Sequence, residues 1–107
     1  MTLNKRRLLA YTLSAACLIT LSSAQAAGDP VKGKAKSVTC AACHGAAGIS
    51  INPLWPNLAG QHAAYLEKQI KAFKSGERKD PSMAPMVAAL TPQDIADLAA
   101  YFSSLKK

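Results

Sequence analysis

The chain has 107 residues, thirteen Lys and Arg against six Asp and Glu, and a formal charge of +7, which bounds it to a single domain. Its basic residues are dispersed, with no arginine-rich stripe and no interleaved aromatics, so a nucleic-acid partner is excluded. Only 6% of the residues are aromatic, too few to fill a core by themselves, so something else has to occupy the centre.

The first stretch reads as an address. Lys5, Arg6 and Arg7 precede an apolar run from Leu8 to Leu21, and Ala24-Gln25-Ala26 supplies small residues at a cleavage site. That layout predicts a secretory signal peptide over residues 1–26 and a mature domain over 27–107. The run falls short of the roughly 20 residues a spanning helix needs, so no permanent membrane span is expected after its removal. Cys17, in "LSAAC", faintly resembles a lipoprotein processing site, which leaves open a lipid tether at the N-terminus; Leu18 to Leu21 continue the apolar run and favour simple removal. Without residues 1–26, ten basic residues face six acidic ones, a charge of +4.

The mature part reads as helices and loops without a strand. Asp29-Pro30 makes a helix start, an N-cap carboxylate followed by proline at the first helical position. Val31, Ala35 and Val38 predict an apolar stripe on a helix running towards Cys40. Gly45 to Gly60 is a loop containing Pro53, Pro56 and the apolar residues Leu54, Trp55 and Leu58. A second helix is predicted from about His62 to Ser75, with Leu66, Ile70 and Phe73 on one face and Gly76 as its stop. In "DPSMAPM", residues 80–86, two prolines are expected to hold the backbone extended around Met83. Thr91, Pro92 and Asp94 then open a last helix, on which Ile95, Leu98, Ala99, Phe102 and Leu105 repeat at helical spacing.

"CAACH", residues 40–44, carries the chemistry. A zinc site needs four ligands, and here there is no second cysteine pair; His62 adds one ligand at most. A thioredoxin-like couple needs a strand before its C-x-x-C, and none is available. A disulfide between Cys40 and Cys43 would close too short a loop to constrain the unfolded chain, and leaves His44 without a role. Covalent attachment of one haem c uses every element: Cys40 and Cys43 form thioethers, and His44 offers its imidazole to the iron. For the opposite face of the iron, Met83 and Met86 are the candidates, since a thioether opposite a histidine raises the potential. His62, at a helix start in polar surroundings, competes weakly. An open sixth position would instead suit a peroxidase-like or gas-binding protein.

These residues resemble the class I c-type cytochromes of bacteria, in the small monohaem form, and look like one lobe of the periplasmic dihaem cytochromes. The likeness covers residues 28 to 107 through "CAACHG", "PNLAGQHAAYLEKQIKAFKSGER", "MAPMVAALT" and "DIADLAAYF". It implies an all-α fold around one haem, with attachment at Cys40 and Cys43 and His44 as proximal ligand. It also implies Met83 as the distal ligand in preference to Met86, and no catalytic residues. A contact of Gly33 with the Tyr101–Phe102 edge is implied as well. The expected function is single-electron transfer in the periplasm, through transient contacts with a redox donor and acceptor. The chain departs from the dihaem relatives in having a single C-x-x-C-H, which puts any function of coupled haems in doubt.

Overall fold

The computed structural model describes residues 27–107; the expected signal peptide and Cys17 lie outside the described residues. Five helices follow one another: α1 Pro30–Lys36, α2 Val38–His44, α3 Ala63–Ser75, α4 Ala84–Val87 and α5 Pro92–Ser104. No strand occurs among the described residues, and no helix of theirs is long and apolar enough to cross a membrane.

Local chemistry accounts for the helix ends. The Asp29 carboxylate accepts the N–H groups of Val31 and Lys32, and Pro30 needs no partner at the first position. At α5 the capping box is complete: Asp94 N–H donates to the Thr91 hydroxyl at 3.1 Å, and Thr91 N–H to the Asp94 carboxylate at 2.9 Å. Helix α3 stops at Gly76, whose φ of 79° is open to glycine at little cost.

The core forms where α5 meets α1 on one side and α3 on the other. Leu66 from α3 packs with Leu98, Ala99, Tyr101 and Phe102 from α5. Fully burying a side chain such as Leu98 or Phe102 stabilises by about 1.5–3 kcal/mol. Because α5 is covered twice, its buried face is wider than one stripe and takes in Ala96 and Asp97 as well. The Asp97 carboxylate is satisfied there by the Asp29 N–H at 2.8 Å and the Gln93 side chain at 2.8 Å. Those bonds, the Asp29 one foremost, hold its carboxyl below the usual carboxylate value.

Three expectations need correction. The stripe of Val31 and Val38 does not face the core: both are more than 70% exposed, and α1 buries Gly33 instead, with Ser37 just after it. Glycine lets the two backbones close in, and that closeness, not apolar periodicity, selects the face. The first helix also breaks at Ser37, whose hydroxyl donates back to the Lys34 carbonyl at 2.7 Å. Finally, the 80–86 stretch is not extended. Met83 has φ −81° and ψ −35°, and Pro85 sits inside the first turn of α4, where its missing N–H leaves no bond unmade. Gly33 does meet α5 at Tyr101, as implied, and also at Asp97 one turn earlier.

Candidate haem-binding site

His44 is the last residue of α2, and its ring is 7% exposed. Gly45 follows at φ 85° and turns the chain sharply; a β-carbon there would strike the Ile49 carbonyl. The loop then returns so that the Pro56 carbonyl stands 2.8 Å from His44 Nδ1. A carbonyl can only accept, so Nδ1 carries the hydrogen and Nε2 keeps its lone pair. This is the arrangement that fixes an imidazole's orientation and tautomer for a metal.

The loop that delivers Pro56 is pinned on both sides. Leu58 and Ala59 donate their N–H groups to the Gly48 carbonyl at 2.8 and 3.0 Å. Ser50 N–H donates to the Asn57 side chain at 2.7 Å, and the Ser50 hydroxyl reaches the Cys43 carbonyl at 3.3 Å. The last of these ties the loop directly to the cysteine motif.

The two cysteines face different surroundings. Cys40 is half-buried and packs against the core cluster, whereas Cys43 is exposed. Both are free, so no disulfide joins them. Burial pushes the Cys40 thiol up, with a weaker opposing pull from Thr39 and a further push from Cys43. Cys40 lies on α2, which follows α1, whereas a thioredoxin-like couple sits after a strand. Among the described residues no three His, Cys, Asp or Glu side chains converge.

The surroundings of His44 fit an apolar prosthetic group. In the loop that grips it, Ile51 is fully exposed, Leu54 is 84% exposed and Trp55 40%. Of the loop's three expected apolar contacts, only Leu58 reaches the core. So much apolar surface in one short loop suits a segment that folds over a flat hydrophobic ring. Met83, half-buried, precedes α4, and Met86 stands 52% exposed on it. His62 stands exposed at the N-cap position of α3 without a side-chain cap bond, away from the role of a buried ligand. The positioning of His44 by Pro56 was not legible in the motif, because it depends on a loop closing twelve residues later.

Comparison with known proteins agrees with this geometry. The cytochrome c family model matches residues 30–106. The chain is 51% identical over 81 residues to cytochrome c-554(548) of Halomonas halodenitrificans, covering 73% of this chain and 98% of that one. It is 49% identical over 83 residues to cytochrome c4 of Pseudomonas aeruginosa, covering 78% of this chain but 41% of the relative. The crystal structure of reduced recombinant cytochrome c4 from Pseudomonas stutzeri superposes with a TM-score of 0.72 at 44% identity, over 75% of this chain and 47% of that one. The chain thus spans nearly all of the first relative and less than half of the cytochromes c4. With the cysteine pair, the prepared histidine and the helical fold, these likenesses show that the chain belongs to the cytochrome c family and is an electron-transfer protein carrying covalently attached haem c, not an enzyme.

Proposed function

We propose that the chain is a periplasmic single-electron carrier in which Cys40 and Cys43 hold the haem by thioethers, His44 is the proximal ligand and Met83 the distal one. Residues 1–26 serve as its export signal. The observation that carries this reading is the bond from His44 Nδ1 to the Pro56 carbonyl, which leaves Nε2 as the donor nitrogen. Haem c supplies the one-electron couple between ferrous and ferric iron.

The protein's own residues do the rest. In the folded chain the Pro56 carbonyl fixes the His44 ring in orientation and tautomer. Pinning of the 48–59 loop keeps it there whatever the oxidation state, so little has to move when an electron enters or leaves. Leu54 and Trp55 provide apolar cover against water. Met83 is favoured over Met86 because it is the less exposed and its backbone is held at both its N–H and its carbonyl. Exchange with redox proteins takes place in small, short-lived contacts.

Optical spectra of the secreted holoprotein in both oxidation states test the reading. Attached haem and a far-red ferric band from sulfur ligation are expected, with the band lost in Met83→Ala and kept in Met86→Ala. Colourless protein, or fast carbon monoxide binding by the unaltered ferrous form, overturns it.

A further inference from the structure

The segment between α3 and α5 carries both methionines, and its shape is governed by one side chain. A single oxygen of Asp80, Oδ1, accepts the N–H of Ser82 at 2.8 Å and the N–H of Met83 at 3.1 Å. The Asp80 carbonyl accepts the N–H of Ala84 at 3.0 Å. Downstream, the Met83 carbonyl accepts from Met86 at 3.0 Å and Val87 at 3.2 Å. Met83 is therefore the joint of two consecutive turns, the first closed by Asp80 and the second by α4.

Two other anchors act further along. Val87 is buried at 3% exposure, and the Lys74 ammonium donates to the Leu90 carbonyl. Both fix where the segment lies, but neither bonds to Met83's own N–H. Only Asp80 does. Among the described residues Asp80 takes part in neither ion pair, so its carboxylate is committed to backbone N–H groups of this turn. Hydrogen bonds to an ionised acceptor are stronger than neutral ones, and losing this one frees the dihedrals on either side of the methionine.

We infer that Asp80 is a positioning residue for the redox centre: bonded to the Met83 N–H, its carboxylate oxygen holds the methionine in the conformation that presents sulfur to iron. The inference rests on Met83 being the distal ligand. A thioether is a neutral, weak ligand, so it stays on the metal only if the chain holds it there. Loosening the turn raises the fraction of molecules whose sixth position is open. The effect reaches the iron without Asp80 touching it.

The test uses holoprotein secreted by cells able to attach haem, as the parent and as Asp80→Ala, Asp80→Asn, Met83→Ala and Met86→Ala. Two readouts are taken well below the melting temperature: the far-red ferric band and the rate of carbon monoxide binding to the ferrous form. In Asp80→Ala the haem stays attached, the band weakens and carbon monoxide binds about tenfold faster, the size expected for losing one charge-assisted bond. Asp80→Asn keeps an acceptor oxygen and stays within about twofold of the parent. If Asp80→Ala yields no holoprotein, Asp80→Val, which also lacks an acceptor, takes its place with the same expectation. An unchanged band and rate in Asp80→Ala, or equal impairment in Asp80→Asn, overturns the role of Asp80 alone. Loss of the band in Met86→Ala with retention in Met83→Ala overturns the ligand assignment itself.

Discussion

A β-carbon placed on Gly33 would stand 1.9 Å from the carbonyl oxygen of Asp97 and 2.8 Å from the β-carbon of Tyr101. Helices α1 and α5 are thus in backbone contact at that point, and the contact has no room for any side chain. Gly33→Ala is expected to force the helices apart and destabilise by about 3 kcal/mol or more, at the upper end of overpacking. Its thermal midpoint should fall by roughly 10 °C or more. Gly76→Ala is the contrast: nothing lies within 4 Å of that position, so only its positive φ matters and the loss is about 1 kcal/mol. Equal losses at the two sites, read from holoprotein melting curves, would refute the contact.

Asp97 makes acid stability predictable in sign. Its folded-state pKa lies below the ordinary 3.8, so the folded protein binds fewer protons than the unfolded chain between those two values. The stabilisation is complete above 3.8 and is lost as pH falls through the lower, folded value. Asp97→Asn should therefore flatten the acid limb of a stability–pH curve below about pH 4 while leaving its slope near neutrality unchanged. Denaturant titrations at a series of pH values measure both limbs.

Thr91 offers a smaller effect of local origin. Replacing it with alanine removes the hydroxyl that accepts the Asp94 N–H and breaks one half of the capping box. A loss of about 1 kcal/mol is expected, with an unchanged haem spectrum, because the site lies at the start of α5 and not at the metal. A spectral change in Thr91→Ala would mean that the cap does more than begin a helix.

Removal of the prosthetic group should be far more damaging. Replacing both Cys40 and Cys43 with serine leaves a chain whose Ile51 and Leu54 have nothing to cover. That variant is expected to be largely unfolded by circular dichroism, as small domains organised around a metal generally are. A cooperative thermal transition in the haem-free variant contradicts this.

Charge should appear in the kinetics. Residues 27–107 carry ten basic and six acidic side chains, a net +4. Lys36 is paired with Asp94 and Lys71 with Glu67, while Lys34 and Lys68 stand exposed on α1 and α3. Reduced protein should lose electrons to anionic hexacyanoferrate(III) more slowly as salt rises, because screening shortens the reach of the field to about 10 Å at 0.1 M. A cationic cobalt oxidant should show the opposite trend. Flat responses with both would remove electrostatic steering.

What could be read in advance was whatever is written locally. Cys40, Cys43 and His44 suggest their chemistry by adjacency, and Thr91-Pro92 with Asp94 declares a helix start, because the groups concerned lie within four residues of one another. Val31 and Val38 misled because periodicity ranks faces by hydrophobicity, while the packing of α1 was decided by how closely Gly33 lets α5 approach. Asp97 went unnoticed since a charged residue on a helix usually faces water; its partner Asp29 lies sixty-eight positions away. The backbone around Met83 was mistaken, because two prolines suggest extension unless a carboxylate such as Asp80 closes a turn between them.

Of the two sulfurs in the attachment motif, Cys40 lies against the packed interior while Cys43 looks outward. Machinery that stitches a pigment to both must reach both, and helices α3 and α5 stand in the way of one. If both sulfurs hold the haem as proposed, stitching is expected to come first and collapse second, with the inner seam closed over and the outer one left in view.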